Sequence, residues 1–366
     1  MRQSFFREVI VMFNTDKLSA VLPEFADAAL IFSEENRRYF TGFPASDGML
    51  LVTAYGSLFF TDSRYTEAAA EKLGAENVRD SAALYDRLRE IFCEYGINTL
   101  AIENDRLTIS DYERLKAKLH EYDFNTTGAL SAAIDGIRII KSEEEIANIV
   151  SAQRIAEAAF DDVLGKIKPG MTEKEISLSL DFYMLSHGAE ALSFETIAVT
   201  GTKSSMPHGV PGDNRVQNGD FITMDFGAVV NGYHSDMTRT VAVGKVSEKQ
   251  KEVYSIVLEA QTAALDFLKA GVTGIDADKA ARDVIKNAGY GDCFGHSTGH
   301  GVGIEIHETP NLSMRSRYTL EAGHVVTVEP GIYIPGEFGV RIEDMAVITE
   351  NGCKNLTNSP KELIIL

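Results

Sequence analysis

Asp225, Asp236, His300, Glu329 and Glu343 are the side chains of this sequence best suited, by type and setting, to hold divalent cations. Each carboxylate sits at the edge of an apolar run, in TMDFG, HSDMT, TVEPG and RIEDM. A lone carboxylate at a strand end is ordinarily solvated. Four of them at matched positions among apolar residues would carry a heavy desolvation cost, which bound cations remove. Four carboxylates and one imidazole make an oxygen-dominated donor set, suited to Mn²⁺, Fe²⁺ or Co²⁺ more than a thiolate-type zinc site would be, with Zn²⁺ also compatible. Two such ions ~3.5–4 Å apart share a hydroxide and lower its pKa, an arrangement that hydrolyses amides or phosphoesters.

The matched positions come from a faint duplication. Lys168-Pro169-Gly170-Met171-Thr172 recurs as Lys269-Ala270-Gly271-Val272-Thr273, and each copy opens a helix that ends near a glycine, Gly188 or Gly289. A histidine segment follows in both copies, MPHG with His208 and IEIHE with His307. Then NGDFITMDFG parallels AGHVVTVEPG, which aligns Asp225 with Glu329, and SDM parallels IED, which aligns Asp236 with Glu343. Two halves of helix-helix-sheet form would thus bring equivalent carboxylate pairs to one centre.

Local patterning supports that geometry. Phe221 to Val229 and Tyr233 to Val243 read as strands, and Asn231-Gly232 between them is a strong two-residue hairpin signal. In that hairpin Asp225 and Asp236 are diagonal neighbours on one face, roughly 7–8 Å apart at Cα. Arg341 and Glu343 share a strand face by alternation, while the odd offset of His324 from Glu329 turns it to the other face.

The histidines divide by context. The segment GHSTGHGVGIEIHE carries three of the eight, but its glycines weaken a helical reading and no H-E-x-x-H zinc motif is present. His300 is the best single ligand. His208 and His307 suit flanking acid-base or oxyanion roles. His296 fits either a substrate pocket or a hydrogen-bonded structural role. His120, His187, His234 and His324 read as structural.

Composition bounds the rest. A chain of 366 residues with 44% apolar content implies two ordered domains. The formal charge of −19 argues against nucleic acid or an anionic membrane as partner. No apolar run reaches the ~18 residues of a membrane span. Cys93, Cys293 and Cys353 are far apart, as expected of buried thiols in a reducing cytoplasm. MRQSFFREVIVMF is a poor signal peptide, and Met12 offers an alternative start.

In the first third, strands are expected at Ala28 to Phe32, Gly48 to Thr53, Ser57 to Thr61 and Thr99 to Ile102. Helices are expected at Arg64 to Leu73, Ala83 to Tyr95 and Ser110 to His120. Periodicity lapses between Tyr122 and Gly136, ahead of a capping box of Ser142 and Glu145. The boundary is therefore placed after residue 136. Arg64 in TDSRY reads as a solvated or interface arginine.

With these residues in place, the sequence resembles the pita-bread metallopeptidases, in the branch of Xaa-Pro aminopeptidase (aminopeptidase P) and prolidase. The motifs carrying the match are MPHG, DFGAVVNGYHSDMTRT, GHSTGHGVGIEIHE, TVEPGIY and GVRIED. YFTGFPASDGMLLVT and FFTDSRYTEAA are similar to the creatinase/prolidase N-terminal domain. The resemblance implies an α/β (α+β) fold: an N-terminal α/β domain over residues 1–136 and a catalytic pita-bread domain over 137–366. It implies two divalent ions per chain, Mn²⁺ first, with Asp225 on one ion, His300 on the other, and Asp236 and Glu343 bridging. Glu329 would ligate and carry the proton, His208 and His307 would flank the scissile carbonyl, and His296 and Arg341 would line the pocket.

The expected activity is Xaa-Pro aminopeptidase, acting on short proline-containing peptides in the cytoplasm as a homodimer. Prolidase, an Xaa-Pro dipeptidase, is the alternative; it needs a cation for the substrate carboxylate, which Arg315 and Arg317 could supply, although two exposed loop arginines are the commoner explanation. Methionine aminopeptidase ranks lower because it lacks the large N-terminal domain. Creatinase does not keep these ligands, and a catalytically silent pita-bread scaffold would tend to lose them.

Overall fold

Apolar runs in the first third form buried strands. AALI, MLLVT and GSLFFT make Ala28–Ile31, Met49–Thr53 and Gly56–Thr61, which pair antiparallel. Thr99–Ile102 adds to Ala28–Ile31 in parallel, and the short strands Val78–Asp80 and Asp123–Asn125 complete a six-stranded sheet. Leu88, Ile91 and Phe92 of the helix Leu84–Tyr95 and Leu115 of Ile109–Lys118 pack on that sheet beside Leu51, Phe60 and Leu100.

The computed structural model describes residues 14–366; the apolar N-terminal run and Met12 lie outside the described residues. The chain divides into two compact units, residues 1–138 and 139–366. No helix among the described residues is long and apolar enough to cross a membrane.

Two expectations are corrected in detail, and the solvated reading of Arg64 stands. The stretch without periodicity contains the strand Asp123–Asn125 and the helix Ala129–Arg138. That helix buries only Leu130 and Ile134 among its large apolar residues. Its buried Arg138 is held by Asn36, 102 positions away, and Asn36 in turn donates to buried Glu103. The cysteines are free but not buried: Cys93 is exposed, and Cys293 and Cys353 are half-buried. Arg64 is exposed and pairs with Asp47 and Asp62.

The second unit is built twice. Glu143–Leu164 and Glu173–Ser186 cover one set of strands, and Glu248–Phe267 and Gly274–Asn287 cover another. Capping follows the duplicated sequence. Thr172 and Thr273 each accept a hydrogen bond from the third backbone N–H of their helix, and Ser142 and Ser247 close full capping boxes. Ile176, Leu180 and Phe160 pack on Met224 and Phe226 in one core; Ala277, Ala281 and Val257 pack on Val326 and Val328 in the other.

The first hairpin follows the expected register but is interrupted. Phe221–Phe226 pairs with Met237–Ala242, and Ala228–Val230 pairs with Tyr233–His234. The breaks fall at Gly227 and at Ser235-Asp236. Met237 opposite Phe226 and His234 opposite Val229 keep one register across the gap. Asp225 faces Thr238, which leaves Asp236 on the diagonal. In the second hairpin Val325–Val328 pairs with Asp344–Thr349 and Gly331–Ile334 with Phe338–Arg341. Glu329 and Glu343 fall in the gap between those two ladders.

The first turn depends on Asn231, the one non-glycine with positive φ (51°) among the described residues, followed by Gly232 at 82°. Asn231→Val places a β-branched residue there and is expected to lower stability by about 1–2 kcal/mol. Asn231→Gly should stay near wild type; equilibrium denaturation of both variants tests the assignment.

Candidate metal centre

Within the glycine-rich histidine segment, otherwise irregular, Gly299 to Gly301 form a short strand. Gly299–Gly301 lies between Glu308–Leu312 and Val325–Val328. A Cβ on Gly299 would stand 1.9 Å from the Thr327 carbonyl oxygen, and one on Gly301 2.4 Å from that of Thr309. Glycine on both sides of His300 is therefore what lets neighbouring backbone close in and present the imidazole. The His300 N–H is received by Thr327 Oγ1 at 3.0 Å. Its Nδ1 lies 3.0 Å from the Gly301 carbonyl, which makes Nδ1 the protonated nitrogen and leaves Nε2 a lone pair.

That lone pair faces carboxylates. His300 Nε2 is 3.5 Å from Asp236 Oδ2 and 3.4 Å from Glu329 Oε1. Donor atoms of Asp236, His300 and Glu343 all lie within 4.8 Å of one another. Asp225 joins through Arg341: Nη2 of the arginine is 2.5 Å from Asp225 Oδ2. Arg341 Nε donates to Thr238 Oγ1 at 3.0 Å, and that hydroxyl donates to Glu343 Oε2 at 2.7 Å. The five residues singled out in the sequence thus converge, and Arg341 stands on the Glu343 side of the cluster as alternation requires.

Electrostatics argue for a cation in this cluster. Asp236 and Glu343 are almost wholly buried. Burial first, then the neighbouring carboxylates, hold both well above the usual carboxylate range. Burial pushes Glu329 up to about 8, opposed by Arg341 and reinforced by Asp225. Burial also depresses His300 to about 4. Asp225 Oδ1 is buried and meets no hydrogen-bond donor. A donor set of carboxylate oxygens and one neutral imidazole, with one oxygen atom unsatisfied, fits divalent cations.

The flanking residues are placed as follows. His307 is exposed, and its ring lies 4.3 Å from that of His300. His208 is exposed in the turn after Gly201–Ser205, next to Pro207, whose carbonyl oxygen accepts from Arg341 Nη1 at 3.4 Å. His296 is half-buried between the Ser297 carbonyl and the Tyr333 hydroxyl, at 2.8 and 2.9 Å. Burial, with Arg341 nearby, lowers it to about 4. His324 is buried and accepts from the Glu321 N–H, away from the cluster. Arg315 and Arg317 are exposed beyond the strand Glu308–Leu312.

Three partners escaped the sequence reading. Thr238 and Thr327 each hydrogen-bond a cluster carboxylate, and Tyr333 receives Arg341 Nη1 at 2.8 Å while holding His296. Thr327 is two residues from Glu329, so strand alternation was the available signal there; Thr238 bonds Glu343, 105 positions away, and no local pattern marks it.

Comparison with known proteins agrees with this class of site. Residues 147–350 match metallopeptidase family M24, and residues 23–140 match the creatinase/prolidase N-terminal domain. The chain belongs to metallopeptidase family M24. An Xaa-Pro dipeptidase of Pyrococcus horikoshii is 40% identical over 92% of this chain and 94% of its own. Among solved structures, an Xaa-Pro dipeptidase from Bacillus anthracis superposes with a TM-score of 0.92 at 44% identity, covering 96% of this chain and 99% of that one. An X-Pro aminopeptidase from Thermotoga maritima gives 0.89 at 39%, with the same coverage. The fold is the pita-bread fold, and family membership implies divalent metal ions.

The raised carboxyls have a pH consequence. A carboxyl whose folded pKa exceeds its unfolded value favours the fold at low pH and loses that contribution as pH rises through the folded pKa, here up to about 8 for Glu329. The depressed His300 acts oppositely, but only below its unfolded value near 6.5. Between pH 6.5 and 8 the metal-free protein should therefore lose thermal stability. Over that interval the rise in melting temperature on adding Mn²⁺ should grow, and metal addition to unbuffered protein should release protons. A metal-induced shift independent of pH would contradict the buried cluster.

Proposed function

We propose that this chain is a dinuclear-metal Xaa-Pro dipeptidase, a prolidase that hydrolyses the bond between a first residue and a following proline. The sequence ranked Xaa-Pro aminopeptidase first. The similarity to proteins named Xaa-Pro dipeptidase, at 40% and 44% identity over nearly the full chain, favours the alternative. The observation that carries the metal-dependent reading is the gathering of four carboxylates, Asp236 and Glu343 buried and Asp225 and Glu329 half-buried, around one neutral imidazole, with Asp225 Oδ1 unpartnered.

In this reading Asp225, Asp236, His300, Glu329 and Glu343 hold two divalent ions, Mn²⁺ first among them. Bound ions supply Lewis-acid polarisation of the scissile carbonyl and a water of lowered pKa. The X-Pro bond has no N–H and a fixed φ, so gripping an extended backbone by hydrogen bonds serves poorly, and recognition falls to the ends of a short peptide.

Glu329, beside Thr327 and His300, takes the proton of the attacking water and returns it to the departing proline nitrogen. His208 and His307, exposed at the rim, donate to the oxyanion. His296 and Arg341, linked through Tyr333, hold that wall of the pocket. Arg315 and Arg317 supply positive charge for the substrate carboxylate. The protein works in the cytoplasm as a homodimer on short proline-containing peptides.

Dipeptide and tripeptide substrates test the choice. An Xaa-Pro dipeptide should exceed the matching Xaa-Pro-Xaa tripeptide in kcat/KM by about tenfold or more, the worth of a charge-assisted hydrogen bond to its terminal carboxylate. The reverse preference would restore the aminopeptidase reading. Asp236→Ala should abolish metal binding and turnover together. Glu329→Gln should keep metal bound yet lower kcat by roughly 10²–10⁴-fold.

A further inference from the structure

We infer that Arg239 is a positioning residue for the metal centre: from behind the site, its guanidinium ties together the backbone segments that carry Asp236 and Glu343. The inference rests on the proposed reading of those two carboxylates as metal ligands. Arg239 follows Thr238 on the strand Met237–Ala242, so alternation turns it away from the face on which Thr238 meets Glu343. It is 1% exposed, and all three guanidinium nitrogens are engaged.

Nη1 donates to the Thr238 carbonyl at 2.9 Å and to the Glu343 carbonyl at 2.5 Å. Those two residues are already joined to each other. The Glu343 N–H donates to the Thr238 carbonyl at 3.1 Å, and the Thr238 hydroxyl to Glu343 Oε2. The two half-copies meet at this point, and each contributes a ligand within two residues of it. Arg239 closes the junction from the rear, so the spacing between Asp236 and Glu343 is set by a charged clamp as well as by the hairpins.

The clamp has its own anchor. Nη2 meets Asp344 Oδ1 at 2.8 Å and the Ser359 carbonyl at 2.8 Å, and Nε meets the Pro360 carbonyl at 2.9 Å. Asp344 is fully buried and also accepts from Gln261, Asn355 and Lys361. Beyond Pro360 the chain pairs with the same strand, Leu366 N–H to the Ala242 carbonyl at 2.9 Å. Residues 359–366 therefore brace the metal-bearing strand without reaching the site. A lysine cannot replace this arrangement, because one ammonium cannot span the four carbonyls and one carboxylate that the arginine's planar fork reaches.

The test uses the full chain, stripped of metal, with Mn²⁺ titrated against a fluorescent chelator and thermal melts recorded with and without Mn²⁺. Arg239→Lys is expected to weaken Mn²⁺ binding by about 10- to 100-fold and to shrink the metal-induced rise in melting temperature. A variant that melts lower by the same amount with and without Mn²⁺, and binds it as wild type does, would overturn the inference and leave a purely structural arginine. If Arg239→Lys does not fold, Lys361→Gln decides, since it loosens Asp344 from the partly exposed side. Weakened Mn²⁺ binding in that variant supports the clamp, and unchanged binding overturns it. A wild-type chain without saturable Mn²⁺ binding would instead overturn the metal centre itself, and the clamp with it.

Discussion

Like charges buried together are the constraint on which this molecule turns. Asp225, Asp236, Glu329 and Glu343 stand together; burial and then the neighbouring carboxylates hold Asp236, Glu329 and Glu343 above the usual carboxylate range, and Arg341 opposes that rise at Asp236 and Glu329. A buried carboxylate without a counter-charge is among the most destabilising features a fold can hold. Natural folds retain such clusters where a cation or a proton completes them. The architecture of the second unit is in this sense a device for holding acid groups together until metal arrives. Helix caps, glycine-backed histidine and paired hairpins all serve that end.

The device is only approximately symmetric. Both halves place a carboxylate at the end of one strand and another at the start of its hairpin partner. In the first hairpin the pair is diagonal, whereas in the second both members lie in the gap between two ladders of one hairpin. The asymmetry extends to partners: Asp225 is held by an arginine, while Glu329 meets Thr327 and His300. Two chemically distinct positions follow from one repeated supersecondary unit. The proposed roles, Asp225 as ligand and Glu329 as proton carrier as well, call for that difference.

Much of this was legible in the chain because it rests on local chemistry. The Asn231-Gly232 turn fixed the register that puts Asp225 and Asp236 on the diagonal, and alternation put Arg341 beside Glu343. Other features depend on distant partners and were hidden. In the helix Ala129–Arg138, Leu130, Ile134 and Ile137 do fall at helical spacing, but the burial of Arg138 depends on Asn36, far away in sequence, which no local pattern shows. The Tyr333 bridge between Arg341 and His296 joins residues from three segments. The strand at Gly299–Gly301 was obscured by its glycines, which look like loop residues until the carbonyls that press on them are seen. The ranking of dipeptidase over aminopeptidase came from similarity to known proteins, since the ligands serve both.

Anomalous diffraction from crystals of the Mn²⁺-loaded protein tests the central claim most directly. The account predicts two peaks among Asp225, Asp236, His300, Glu329 and Glu343, with the Oδ1 oxygen of Asp225, buried and unpaired here, turned onto one of them. A single peak, or manganese bound elsewhere with these side chains left facing one another, would contradict it.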